Sequence, residues 1–184
     1  MVYRFIILSD ESDDFRRDIL IDSDATFYEL HEAILDSVGY TREHPTSFFI
    51  CDDNWEKRTE ITLVEMDTSS DVDSYVMDNT HLSNFLDEER QKLLYVFDYL
   101  TDRAFFMELR EIITGKDQPK AECIRANGKP PVQSIDFDEF DKKVAAAALH
   151  NEEDFFDSGD DFNLDEYDEE DMGGLSEGNP FEDY

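Results

Sequence analysis

From Asn151 to Tyr184 the chain carries 15 carboxylates and not one Lys or Arg, and a segment of that composition cannot fold by itself. Its acids repel one another, and its aromatics (Phe155, Phe156, Phe162, Tyr167, Phe181 and Tyr184) bury too little surface to offset the entropy of ordering. The segment is expected to be a disordered, solvated tail or an adaptor for something basic. Folding is then confined to residues 1–150, room for one domain with a core of ordinary size.

Acids outnumber bases 48 to 16, and residues 1–150 keep 33 of those acids against all 16 bases. Both parts therefore repel a phosphate backbone, which proteins bind largely through Lys and Arg that release counterions, so direct nucleic-acid binding is not expected. The same charge suits basic proteins or divalent cations as partners. Cys51 and Cys123 stand 72 residues apart, outside any CxxC spacing, and are read as thiols rather than as a disulfide framework. MVYRFIILSD lacks the shape of a signal peptide, and the longest uncharged apolar run, Val144 to Leu149, has six residues where a membrane helix needs about 20. The expectation is a cytoplasmic protein without a membrane partner.

Residues 2–8 and 15–22 read as two strands of a hairpin, the first nearly continuous in apolar residues and the second alternating in its later half. A helix follows. Asp24 or Thr26 can cap it, Glu29 completes a capping box with Thr26, Phe27, Leu30, Ile34 and Val38 share one face, and Gly39 stops it. Ser47 to Cys51 reads as a strand, residues 52–79 as a surface excursion with a short strand, and Thr80 as the cap of a helix of about two turns. KLLYVFDYL (92–100) and AFFMELREIITG (104–115) read as strands around a turn at Asp102 and Arg103, with a helix as the alternative for 104–113. Residues 116–133 look loop-rich, with turns at Asn127-Gly128 and Pro130-Pro131. The expected organisation is an α+β domain at 1–133, a C-terminal helix at 134–150 and the acidic tail at 151–184. The domain would hold a mixed or antiparallel sheet with one main helix packed on it.

Scattered residues in the same order resemble the plasmid pRiA open-reading-frame-three-like family, also labelled transposon passenger TnpR-like. They are Tyr3-Arg4-Phe5, Phe15-Arg16-Arg17, Leu30-His31, Gly39-Tyr40, His44, Thr80-His81-Leu82-Ser83, Leu94 to Tyr99, Cys123, Gly128 and Pro130-Pro131. The resemblance covers about residues 2–132, and Gly173-Gly174 after Glu170-Asp171-Met172 is similar to the family's Glu-Asp-x-Gly-Gly. It implies an α+β fold, with a β-grasp-like arrangement as one form, and no established reaction. Where the family runs on as Gly-Asp-x-Trp-x-His, this chain reads Leu100-Thr101-Asp102-Arg103-Ala104-Phe105, and Val132-Gln133 stands in place of Glu-Asp after the prolines. The polar part of the pattern is missing. A serine recombinase would need a catalytic Ser among several Arg residues and a basic segment, so the TnpR label is set aside.

His31 and His44, with Asp52 or Asp98, are the candidate metal ligands, since neutral imidazoles and carboxylates suit zinc, though a spacing of 13 matches no standard signature. The structural alternative has His31 capping or packing and His44 bonding the turn before Pro45. Neither cysteine comes with a catalytic elbow; Asp52 and Asp53 would suppress a Cys51 thiolate, and Cys123 sits nearer to Lys120 and Arg125. No cofactor is expected. The functional expectation is a non-enzymatic interaction or accessory protein of plasmid or mobile-element origin. Its contact surfaces would be the aromatic strand and the tail, the latter docking on a basic protein through Phe155, Phe156, Phe162, Tyr167 and Phe181. A small enzyme or metal-binding protein using His31 and His44, and an acidic DNA mimic, are the alternatives. Oligomeric state is not readable.

Overall fold

A nearly continuous apolar run over Val2–Leu8 and a partly alternating one over Arg16–Asp22 build strands β1 and β2, paired antiparallel from Val2 opposite Asp22 to Leu8 opposite Arg16. The structure, a computed structural model, describes residues 1–65 and 75–134. The chain divides into the units Met1–Ile135 and Asp136–Tyr184. The expected C-terminal helix at 134–150 and tail at 151–184 lie outside the described residues, apart from Ser134.

Helix α1, Phe27–Val38, starts where its capping chemistry says it should. Glu29 N–H donates to Thr26 Oγ1 at 3.2 Å while Thr26 N–H donates to the Glu29 carboxylate at 2.8 Å. Gly39 ends it at φ 71°, a left-handed position that suits a residue without Cβ. Strands β3 (Ser47–Cys51), β4 (Lys57–Thr62), β5 (Tyr75–Val76), β6 (Lys92–Asp98), β7 (Arg103–Ile113) and β8 (Glu122–Asn127) complete one eight-stranded sheet. Its order is β5-β4-β3-β6-β7-β1-β2-β8, antiparallel at every junction but β4 with β5. β1 lies between β2 and β7 and is antiparallel to both, so the parallel central pair of a β-grasp arrangement does not form.

One side of the sheet holds the core. Tyr3, Phe5 and Ile7 of β1, Ile19 and Ile21 of β2, Phe48 of β3, Tyr95 and Phe97 of β6, and Phe105, Met107 and Leu109 of β7 pack with Phe27, Leu30, Ile34 and Leu35 of α1. The aromatics of β6 are thus interior. The expectation that this strand offers an aromatic contact surface is corrected: Tyr95 is 0 % and Phe97 1 % exposed.

Three further readings change. The excursion at 52–79 carries two strands, β4 and β5, where one was expected. After Thr80 there is no two-turn helix, only a 3-10 turn at Leu82–Asn84, and another 3-10 turn, Met77–Asn79, ends at Thr80. Thr80 Oγ1 donates back to Val76 O, and the amides of Leu82 and Ser83, which a Thr80 cap would have taken, donate instead to Ala25 O and Ser23 O and tie this segment to the chain before α1. Glu122–Asn127, read as loop, is the edge strand β8 on β2. Most of its side chains are exposed, which removes the alternation that would have marked it. Residues 104–113 form a strand and not a helix.

Candidate functional site

The two imidazoles proposed as metal ligands serve different surroundings. His31 is buried on the inner face of α1, its Nδ1 2.8 Å from the Tyr95 hydroxyl and 3.3 Å from Thr46 Oγ1, with Glu32 4.0 Å from its Nε2. Burial pushes the His31 pKa down, against the smaller opposing pull of Glu32. His44 lies on the loop before β3 and lines a cavity of about 320 Å³ together with Arg42, Thr46, Thr62, Leu63 and Tyr99. Thr46 therefore stands between the cavity and His31. Asp98 is taken up elsewhere, accepting from Thr101 Oγ1 and Leu100 N–H and lying 3.5 Å from Arg103. Burial works against the Asp98 carboxylate, but those hydrogen bonds and Arg103 hold its pKa below the ordinary value. Asp52 accepts from Asn54 N–H, Glu56 N–H and Arg58. Among the described residues no group of three or more His, Cys, Asp or Glu is placed to hold a metal ion.

Cys51 and Cys123 are both free thiols and half-buried. Burial raises the Cys51 pKa, with Asp52 adding to it and Leu94 N–H and Lys57 opposing, so the group is a poor thiolate. Phe155, Phe156, Phe162, Tyr167 and Phe181 lie outside the described residues.

Many residues that carry the family resemblance turn out to hold the fold together. Arg17 is 5 % exposed, and its guanidinium donates to Ser37 O near the end of α1 and to Arg16 O, Asn127 O and Gly128 O, while lying 4.6 Å from the Phe15 ring centre. Gly128 has φ 66°, and a Cβ there would come within 2.5 Å of Asp14 O, so both conformation and space demand glycine. Tyr40 donates to Pro131 O and stacks against Phe105, with ring centres 5.9 Å apart. These contacts join α1, β2 and the segment after β8.

The second side of the sheet has different chemistry. Asp18 of β2 is fully buried there, yet it accepts from Arg16 Nε at 2.6 Å and Arg4 Nη2 at 2.7 Å. Hydrogen bonding by Arg16 outweighs burial and, with Arg4, keeps this carboxyl ionised well below the ordinary range. Beside this cluster, Ile6, Leu8, Trp55 and Phe106 edge a cavity of about 290 Å³ flanked by Arg16 and Arg110. The indole meets the Phe106 ring edge-on at 5.0 Å, and Lys92 Nζ lies 5.0 Å over it. Leu94 and Val96 of β6 are buried on this side between those groups.

The sequence reading passed over Trp55 and Phe106. Two signals pointed to them: neighbouring aromatics in a strand, Phe48-Phe49 and Phe105-Phe106, must point to opposite sides, and the chain's single tryptophan sits in a turn after Asp52-Asp53-Asn54.

A family model described as Plasmid pRiA4b ORF-3-like protein matches residues 2–173. The match extends beyond the stretch ending near residue 132 that the scattered motifs suggested, and reaches Gly173. No curated protein matches the chain in sequence. Among solved structures, a protein of unknown function from Methanosarcina mazei Go1 is similar in fold, with a TM-score of 0.55 at 18% identity over 91% of this chain and 93% of that one.

Proposed function

This chain belongs to the plasmid pRiA4b ORF-3-like protein family, and from that premise we propose that it is a non-enzymatic interaction or accessory protein. It acts in the cytoplasm, in the setting of a plasmid or mobile element, with an acidic tail that docks on a basic protein partner. The observation that carries this reading is the tail itself, with 15 carboxylates and six aromatic residues in Asn151 to Tyr184 and no base among them. Acids of that density steer a basic partner into encounter, and aromatics spaced among them supply anchors that order on contact. Support also comes from the bonding of Arg17, His31, Tyr40 and Tyr95, whose polar atoms are engaged in packing the domain. Among the described residues no helix is long and apolar enough to cross a membrane.

The test is a pull-down from host lysate with the full chain and with a chain ending at His150. Partners held only by the full chain, and released as salt rises, are the expected result. Identical partner sets for both chains would refute tail docking. Stoichiometric zinc in the purified protein would overturn the non-enzymatic reading.

A further inference from the structure

We propose that the second side of the sheet, around Trp55, is a docking surface for an acidic peptide segment of a partner protein that carries an aromatic or aliphatic anchor. This inference concerns the domain and does not depend on the tail. It begins with the backbone. Trp55 lies at φ 67°, a left-handed conformation that turns normally give to Gly, Asn or Asp and that is strained for a bulky side chain. The turn is enforced locally: Trp55 N–H donates to Asp52 O, and the Asp52 carboxylate takes the amides of Asn54 and Glu56. The strain places the indole edge-on to Phe106, at the rim of the cavity bounded by Ile6 and Leu8.

The charge at this rim sets the partner's chemistry. Arg4, Arg16, Lys92 and Arg110 gather around it with the carboxylates of Asp18, Glu108 and Glu111, and the Trp55 turn adds Asp52, Asp53 and Glu56, the first and last paired with Arg58. Five cations thus meet six acids, a richer share of cations than in the region 1–150 as a whole, where acids outnumber bases 33 to 16. Lys92 has no ion pair among the described residues; its ammonium donates to the Asp53 carbonyl and covers the indole, keeping a full positive charge beside the apolar rim. Arg16 already spends Nε and Nη2 on Asp18, which leaves Nη1 for an incoming carboxylate. Tryptophan, arginine and a second aromatic around a shallow cavity are the side chains that dominate protein contacts. An acidic strand with one apolar side chain in the cavity satisfies both parts of the surface.

Trp55 is the chain's single tryptophan, so its emission reports on this cavity alone. The experiment titrates the full chain, at about 0.1 M salt to screen the repulsion from its own charge, with a short peptide of glutamates around a central phenylalanine pair. A second titration uses the same peptide with lysine for glutamate. The expected result is a saturable change in indole emission with the acidic peptide only, weakened about tenfold in Lys92→Ala and in Arg110→Glu. Arg110 is exposed and Lys92 half-buried against the indole, and far-UV circular dichroism checks that both variants fold. No emission change with the acidic peptide, an equal change with the lysine peptide, or unaltered affinity in both variants would overturn the proposal.

Discussion

Phe105 and Phe106 are chain neighbours that live in different worlds. Phe105 is 0 % exposed and touches Phe15, Tyr40, Tyr95 and Phe97 with ring centres between 4.6 and 6.3 Å. Phe106, half-buried on the other side, meets Trp55 and the charged groups around it. The pleat alone accounts for the separation, and everything else follows from what each side is packed against. The side under α1 is an aromatic core in which Arg17, His31, Tyr40 and Tyr95 are bonded internally, with Arg103 Nη1, near the Phe97 ring, the buried polar atom left without a hydrogen bond among the described residues there. The other side mixes aromatics with ion pairs, a composition suited to contact more than to holding the fold.

The comparison can be broken first at Phe105. Phe105→Ala leaves a large cavity among four rings, and urea unfolding should show a loss of about 3–5 kcal/mol. A loss below about 1 kcal/mol would mean that the core is not centred there. Next comes Arg17→Ala, which strips the carbonyls of Ser37, Asn127 and Gly128 of a charged donor. A loss of about 2–3 kcal/mol is expected in the same measurement.

His31 sharpens the contrast through pH. Its pKa in the folded protein lies below the 6.5 of the free side chain, because burial favours the neutral ring. The unfolded chain therefore binds the proton more readily, and stability is fully present above pH 6.5 and lost as pH falls below it, by up to about 1.4 kcal/mol per pH unit. Unfolding of wild type and His31→Gln across that acid range should show a shallower slope in the variant. The smallest effect belongs to the second side: Arg110→Ala removes an exposed pair with Glu108, and its unfolding free energy should change by no more than about 0.5 kcal/mol.

Legibility in the sequence tracks this same division. Helix α1 was readable to its caps because Thr26, Glu29 and Gly39 act locally, through bonds within a few residues. The strands under α1 were readable because burial concentrates apolar, β-branched and aromatic residues in short runs such as VYRFIIL and KLLYVFD. β8 was not, since an edge strand that turns only Cys123 toward the core carries no such pattern. The turns after Thr80 were missed for another reason: their amides bond to Ser23 and Ala25, roughly sixty residues away in the chain. The resemblance motifs located Arg17, His31, Tyr40 and Gly128, but those residues secure packing, so recognising them revealed the fold and no reaction. The candidate contact surface escaped because Trp55, Phe106, Lys92 and Arg110 come together only through sheet order.

The claim that the second side presents a contact surface is tested most directly by acrylamide quenching of the single tryptophan in the full chain. The account predicts that Trp55 is quenched readily, within a few-fold of the rate in the urea-unfolded protein. An indole shielded from acrylamide in the folded chain would contradict it, and would make Trp55 and Phe106 part of the interior.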